Sequence, residues 1–135
     1  MVKASVMKKL IVQQNNSLRL IYNVGRRSNL GHLFKKANLL RIKDQVQLDL
    51  LKISYRYFHN DLPIRIINLF DLSTHDYMTR NRNNLRAPHH TTLQYGLSYL
   101  GQAPSLWLNL QEQLKNKTSI KSFVKGFTDM KMKRY

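Results

Sequence analysis

Residues 44–58, DQVQLDLLKISYRYF, decide the fold class expected for this chain. Apolar side chains recur at Val46, Leu50, Ile53 and Tyr57, three or four residues apart, which is the spacing of one face of an α-helix. Further large side chains widen that face: Leu51, Tyr55 and Phe58. Because so wide an apolar stripe needs cover on several sides, we expect this helix, starting near Asp44, to lie in the core.

Helical patterns also precede and follow this segment. Residues 4–23 place apolar side chains near one face, which predicts a helix there. Ser28 is a suitable N-cap for a further helix in which Leu30, Leu33 and Phe34 recur. Pro63 follows the central helix and fits the first turn of a short helix through Phe70. Residues 4–70 are therefore predicted to be helical.

The helical period fades after Asp71. Thr91–Leu100 alternates weakly between apolar and polar residues, which favours short extended segments, and Gly101 with Pro104 indicates a turn that closes them. The segment 71–103 is therefore predicted to be basic and loop-rich.

Helical spacing returns over residues 104–134. Pro104 begins the first of these helices, and Thr118 or Ser119 caps the last. One face of the last helix is apolar: Ile120, Phe123, Val124, Phe127 and Met130. The opposite face is basic: Lys121, Lys125, Lys131, Lys133 and Arg134. We expect one mainly α domain over 1–135, with a loop-rich middle containing short extended segments.

The charge composition indicates a polyanionic partner. The 135 residues carry 23 Lys and Arg against 7 acidic residues, giving a formal net charge of +16. So large an excess repels itself in a compact chain and is best tolerated when a polyanion neutralises it. The alternative is a solvated basic surface, or a structural role like that of a ribosomal protein.

Cysteine content and hydropathy limit the class of protein further. There is no cysteine, which excludes a disulfide framework and a thiolate zinc site. No apolar run approaches the roughly 20 residues of a transmembrane helix, and the first residues lack the pattern of a signal peptide. We expect an intracellular protein, nuclear or cytoplasmic and not secreted.

The stretch from Tyr77 to Gln111 contains no Asp or Glu and carries both arginines and aromatic residues. Guanidinium groups pair with phosphate oxygens and also stack on bases, so this mixture favours flexible nucleic acid, and RNA first. The candidate contacts in this stretch are Arg80, Arg82, Arg86, Tyr77, Tyr95 and Tyr99. Lys121 and Lys125, on the basic face of the last helix, complete the set.

Catalytic and metal chemistry is not indicated. The seven acidic residues are scattered, whereas nucleotide polymerisation needs a pair of carboxylates that holds two divalent ions. His89 and His90 are adjacent, so their side chains diverge, and with His75 they more often serve as surface or phosphate-side residues. We therefore expect no enzyme activity of the isolated chain, no cofactor and no bound metal.

Four segments carry a resemblance to a known family. They are LFKKANLLRIKDQVQLDLLKISYRYFHNDLP (33–63), HDYMTR (75–80), Gly-x-x-Pro-Ser-Leu-Trp (101–107) and SIKSFVKGF (119–127). In order and spacing they resemble the C-terminal region of jockey-like non-LTR (LINE-type) retrotransposon reverse transcriptases, from about Leu18 to the end.

The resemblance implies a role beside a polymerase. In that family the region lies downstream of the fingers, palm and thumb and helps to hold template RNA or the RNA/DNA hybrid. It implies RNA or hybrid as ligand and a palm-bearing reverse transcriptase chain as partner. The family's Asn-Ser-Leu-Pro after the tryptophan is here Leu108, Asn109, Leu110 and Gln111. Because the proline is missing, we expect a longer helix after Trp107.

Two other classes of function stay open at this point. The segment Ser119–Arg134 has an apolar and a basic face, as peripheral membrane binders and binders of acidic proteins do. A decayed open reading frame without function would instead show poorly cooperative unfolding.

Overall fold

A computed structural model describes residues 4–68, 85–86 and 98–135. Seven helices account for most of these residues, which confirms the mainly α prediction. They are α1 (Ala4–Ile21), α2 (Leu30–Ala37), α3 (Ile42–Phe58), α4 (Ile64–Ile67), α5 (Tyr99–Leu108), α6 (Glu112–Lys115) and α7 (Ile120–Arg134). The predicted end of a helix at Phe70 lies outside the described residues. The extended segments predicted over Thr91–Leu100 lie outside them as far as residue 97, and the prediction is wrong at Tyr99 and Leu100, which belong to α5.

Helix α3 forms where its spacing predicts it, but it buries a neighbouring stripe. Its most buried apolar side chains are Leu48, Leu51 and Tyr55, at 2 to 3 % exposure, whereas Val46 is 37 % exposed. Leu50, Ile53 and Tyr57, on the predicted face, are only half-buried. Burial is therefore shifted from the centre of the predicted stripe toward Leu51 and Tyr55, which the prediction placed at its edge. Both stripes have helical spacing, and the side chains that pack against the helix select between them.

Helix α5 contains the Gly and Pro residues that were predicted to form a turn. It begins at Tyr99 after the N-cap Ser98, whose hydroxyl accepts a 3.4 Å hydrogen bond from the Gly101 amide. Pro104 lies inside the helix and is buried. A proline there removes one helical hydrogen bond, which costs about 3 kcal/mol in an exposed helix. Burial of Pro104 and its neighbour Ala103 in the core offsets that cost.

The end of α5 corrects a second expectation. The helix stops at Leu108, and the separate short helix α6 follows, so the absent proline does not lengthen the helix after Trp107. Leu110 and Leu114 are nevertheless buried, as apolar residues at those positions predict.

Local side-chain bonds fix several helix ends. The N-cap of α2 is Asn29, rather than the predicted Ser28, and its side-chain oxygen accepts a 2.9 Å hydrogen bond from the Gly31 amide. Asn38 ends α2 in the left-handed region with φ 51°, a conformation that Asn tolerates better than most residues. Ser119 lies at the start of α7 and accepts a hydrogen bond from the Ser122 amide at 3.2 Å, as predicted.

The described residues group into two compact units. We call Asp49–Phe123 the aromatic unit, and Val2–Leu48 together with Val124–Tyr135 the basic unit. The boundaries fall inside helices α3 and α7. The two units are therefore not separated by a linker. The expectation of one domain over 1–135 stays a prediction.

The core of the aromatic unit is a cluster of rings. Trp107 is 4 % exposed and stacks on Phe58, with ring centroids 4.9 Å apart. Phe123 is fully buried and lies 4.8 Å from the ring of Tyr55. The Tyr55 hydroxyl donates to the carbonyl oxygen of Lys117, so its polar end is satisfied. The expected core position of Tyr55 is confirmed, and Trp107 belongs to the same core.

The core of the basic unit is formed by Leu18, Leu33, Phe34, Leu48 and Phe127. Helix α1 supplies one of these side chains, Leu18. The rest of its predicted face is divided: Leu10 is 41 % and Ile21 73 % exposed, whereas Met7, Ile11 and Tyr22 are half-buried. On the predicted apolar face of α7, Phe123 and Phe127 are both buried.

Candidate nucleic-acid interface

The positive charge is concentrated in the basic unit. Its sequence holds fourteen Lys and Arg and two acidic residues, Asp44 and Asp129, whereas the aromatic unit holds nine Lys and Arg and five acidic residues. Exposed basic side chains occur on or beside each of its helices: Lys8, Lys9, Arg26, Arg27, Lys35, Lys36, Arg41, Lys43, Lys125, Lys133 and Arg134. Such a distribution produces a strong positive field over one part of the chain.

Asp44 is neutralised inside the basic unit. Its carboxylate lies 2.6 Å from the Lys131 ammonium and accepts a hydrogen bond from the Tyr135 hydroxyl at 2.5 Å. Burial alone would raise the pKa of Asp44. The hydrogen bonds from Lys131 and Tyr135, and the charges of Lys131 and Arg41, outweigh burial and hold the pKa below its ordinary value. Asp44 is therefore ionised at neutral pH but does not offset the exposed cations.

This pairing corrects the predicted basic face of α7. The Lys131 side chain is only 13 % exposed, bonds to Asp44 and donates to the Gln47 side-chain oxygen at 2.8 Å. Its ammonium also lies 5.3 Å from the centre of the Phe127 ring. Lys131 therefore has a structural role, while Lys121, Lys125, Lys133 and Arg134 are exposed.

Tyr135 holds Arg41 in a defined position. The Tyr135 hydroxyl accepts a 2.9 Å hydrogen bond from the Arg41 amide, and the Arg41 guanidinium lies 4.5 Å from the centre of the Tyr135 ring. Burial, with the neighbouring Asp44 carboxylate, raises the pKa of Tyr135 to about 12. The hydroxyl therefore stays protonated at neutral pH. An exposed guanidinium fixed by a ring is well suited to pair with a phosphate.

Gln14 fixes the connection between α2 and α3. Its side-chain nitrogen donates to the Leu40 carbonyl oxygen at 2.9 Å, and its side-chain oxygen accepts from the Ile42 amide at 3.0 Å. One amide thus satisfies two backbone groups at the start of α3, which would otherwise lack partners within the helix. Arg41, between these two residues, is held on both sides.

Two clefts open on the basic unit. The first, of about 430 Å³, is lined by apolar residues of α1 and α2 and by Arg41 and Lys43. The second, of about 530 Å³, is lined by Lys35, Asn38 and Lys133 together with Asp129 and Met132. The first has an apolar wall beside its cations. Each cleft includes one acidic residue, Asp44 in the first and Asp129 in the second.

The structure describes four of the eight predicted contact residues. Tyr77, Arg80, Arg82 and Tyr95 lie outside the described residues. Among the described ones, Arg86 is exposed beside the buried Leu85. Lys121 and Lys125 are exposed and one helical turn apart on α7, so their ammonium groups extend from the same side of that helix.

Tyr99, the fourth described contact, is used within the aromatic unit. Its hydroxyl lies 3.0 Å from the Ser54 hydroxyl, and Ser54 is fully buried. Burial raises the pKa of Tyr99 to about 12, and the Ser54 hydrogen bond lowers it in part. The hydroxyl end therefore faces the protein interior, and only the remaining part of the half-buried ring can meet a base.

The basic residues of the first 43 positions were missed by sequence reasoning. Arg26, Lys35, Arg41 and Lys43 belong to a stretch, residues 1–43, that contains ten Lys and Arg and no acidic residue. The absence of acidic residues, which distinguishes the stretch after Tyr77, also distinguishes residues 1–43, and this second run is the longer one.

None of the helices in the described residues combines the length and apolar character that a bilayer crossing requires. Within the same residues, no group of three or more His, Asp or Glu side chains is placed to hold a metal ion. His75, His89 and His90 lie outside them. Comparison with protein-family models, with curated proteins and with solved structures gave no match.

Proposed function

We propose that this chain is a non-catalytic nucleic-acid-binding module whose ligand is RNA or an RNA/DNA hybrid. The observation that carries the proposal is the segregation of charge, with fourteen Lys and Arg against two acidic residues in the basic unit. Because Lys131 and Tyr135 bind Asp44, only Asp129 opposes the exposed cations. Bound phosphate groups would neutralise these cations and remove the repulsion among them.

The origin that fits this proposal is the C-terminal region of a jockey-like retrotransposon reverse transcriptase, without its palm. Two of the four segments that carry the resemblance contribute to the basic unit, through residues 33–48 and 124–127. On this proposal, a palm-bearing reverse transcriptase chain supplies the catalytic carboxylates, and this module holds the template or hybrid beside it.

The membrane alternative is weaker because of how α7 is packed. An interfacial helix inserts its apolar face into the bilayer, yet Phe123 and Phe127 of that face are 0 and 2 % exposed. Insertion would require both rings to leave the protein core. The basic side of α7, by contrast, can contact phosphates without any rearrangement.

The test is a binding titration at several salt concentrations. Fluorescence anisotropy with labelled single-stranded RNA, RNA/DNA hybrid and duplex DNA should give an affinity that falls steeply with salt. About six phosphate contacts correspond to a slope of about −4 in log affinity against log salt for single strands. A hybrid or RNA preference over duplex DNA is expected.

Polyglutamate as competitor provides the control for a charge-only effect. It should displace RNA poorly at equal charge concentration. Binding that is absent or insensitive to salt contradicts the proposal, as does equal competition by polyglutamate. A primer-extension assay with added divalent ions is expected to show no nucleotide incorporation by the chain alone, and incorporation that copurifies with the chain would overturn the non-catalytic assignment.

A further inference from the structure

The first cleft of the basic unit differs from a plain phosphate-binding surface. Ile11 and Leu30 are half-buried along it, and the buried ring of Phe34 contributes to its floor. A phosphate gains nothing from such apolar side chains. A planar heterocycle does, because it can leave water along its faces and still form hydrogen bonds at its edge.

The cations of the cleft lie beside this apolar wall. Arg41 and Lys43 are exposed and line the same cleft as Ile11 and Leu30. Asp44 also lines it, but Lys131 and Tyr135 bind the Asp44 carboxylate. The cleft therefore offers net positive charge to a ligand, although an acidic side chain is among its lining residues.

Asn15 provides the third kind of group. It lines the cleft from α1, one residue after Gln14, whose amide is bound to the backbone at Leu40 and Ile42. A carboxamide carries both donors and acceptors, so it can form paired hydrogen bonds with the edge of a base. A volume of about 430 Å³ falls within the range of small-molecule sites, about 300–1,000 Å³.

We propose that this cleft binds one unstacked nucleotide of a single strand. The base lies against Ile11 and Leu30 with its edge toward Asn15, and the phosphate pairs with Arg41 and Lys43. This inference rests on the proposed function and adds to it a preference for single strands, because the bases of a duplex are stacked and cannot enter a cleft.

The test fills the cleft without changing its charge. Asn15→Phe places a ring in the space of the base, and Gln13→Phe, at an exposed position of the same helix that does not line the cleft, is the matched control. We expect Asn15→Phe to weaken binding of single-stranded RNA at least tenfold, while the salt slope and the affinity for duplex RNA stay unchanged. Gln13→Phe should leave all three unchanged.

A second measurement needs no variant. In protein labelled at isoleucine methyl groups, the Ile11 signal should shift on addition of an oligonucleotide of about five residues, but not with inorganic phosphate at equal ionic strength. Ile64, which is exposed in the aromatic unit, serves as the internal reference. An unshifted Ile11 signal at saturation overturns the cleft inference even if Asn15→Phe fails to fold.

The outcomes separate this inference from the proposed function. If wild-type protein binds no nucleic acid, the proposed function fails and the cleft inference with it. If wild-type protein binds RNA but Asn15→Phe matches Gln13→Phe, only the cleft inference fails. If an acidic peptide shifts Ile11 as RNA does and loses affinity in Asn15→Phe, the cleft is a peptide site and the nucleotide assignment is wrong.

Discussion

The carboxylate of Asp44 lies 2.6 Å from the ammonium of Lys131, and both side chains are largely buried, at 16 and 13 % exposure. The pair connects the first turn of α3 with the last part of α7 inside the basic unit. Tyr135 and Gln47 extend it, because each bonds to one of the two partners. Breaking a pair of this kind strongly lowers the free energy of unfolding, because removing one charge leaves the other buried and poorly solvated.

Asp44→Asn is therefore expected to destabilise the chain by about 2 kcal/mol, the range for hydrogen bonds to charged groups. Urea unfolding at pH 7, followed by circular dichroism, measures this. Glu112→Gln is the control, because the 2.7 Å pair of Glu112 with Lys115 leaves the Glu112 side chain 74 % exposed, and such exposed pairs contribute under about 1 kcal/mol. Equal effects of the two variants would contradict the structural role of Asp44.

The same carboxylate predicts how stability depends on pH. The pKa of Asp44 is lower in the folded chain than its ordinary value, so its contribution is present above the unfolded pKa of about 3.9. This contribution of Asp44 to the unfolding free energy is lost as pH falls through the lower pKa of the folded chain. We expect the difference in unfolding free energy between wild type and Asp44→Asn to be full above about pH 5 and to shrink toward pH 2. A difference that stays constant over this range would show that protonation of Asp44 is not linked to folding.

Gly31 is expected to be intolerant of a side chain. A Cβ at Gly31 would overlap the backbone oxygen of Tyr135, whereas a Cβ at Gly25 has no neighbour within 4 Å. Gly31→Ala should lower the melting temperature by several degrees, since the Tyr135 backbone must shift and its hydroxyl bonds to Arg41 and Asp44 are strained. Gly25→Ala should be neutral or stabilising by about 0.4–1 kcal/mol. Thermal unfolding of both variants gives the comparison, and a neutral Gly31→Ala would contradict the close approach.

Trp107→Ala is expected to cost about 3–5 kcal/mol, because it leaves a large cavity against Phe58 in the aromatic unit. A marginally stable chain would then be largely unfolded. Leu108→Ala is the neighbouring control. Because Leu108 is 43 % exposed, this variant should lose far less unfolding free energy. Circular dichroism is the appropriate probe, because the chain has one tryptophan and the variant has none. Loss of RNA binding in Trp107→Ala would follow from unfolding alone.

Two triple variants decide which surface binds nucleic acid. Changing Arg26, Arg27 and Lys35 to Gln removes three exposed charges of the basic unit. Changing Arg80, Arg82 and Arg86 to Gln removes the same charge from the predicted central contacts. We expect the first triple to reduce the salt slope by about 2 for single strands and to weaken binding more than the second.

Melting temperatures of both triples should stay close to wild type, since surface substitutions usually act within about 0.5 kcal/mol. If the Arg80, Arg82 and Arg86 triple loses more RNA affinity than the other, the binding surface lies in the stretch after Tyr77. If that triple unfolds while it retains affinity, its arginines are structural. Equal losses would mean that binding responds to net charge rather than to a particular surface.

Much of the helical architecture could be predicted from the sequence, because its signals are local. The period of apolar residues predicted α3 and the burial of Phe123 and Phe127 in α7. The serine just before the apolar pattern of α7 predicted the Ser119 cap. In the candidate site, the exposed positions of Lys121 and Lys125 follow from their place opposite that apolar face.

Other features depend on contacts between residues far apart in the chain. Two stripes of α3 have helical spacing, and only the residues packed against them decide that Leu48 is buried while Val46 is exposed. Pro104 fits inside α5 because the core offsets a backbone penalty that local rules treat as decisive.

By itself the sequence determined most of the helices, the net charge of +16 and the aromatic residues available for a core, because propensity, periodicity and composition are properties of short segments. Only the tertiary structure decided that residues 124–135 join residues 2–48, that Lys131 is withdrawn from the basic surface by Asp44, and that Arg41 lies beside an apolar cleft. These outcomes require long-range packing, in which burial and charge pairing select among arrangements that are locally equivalent.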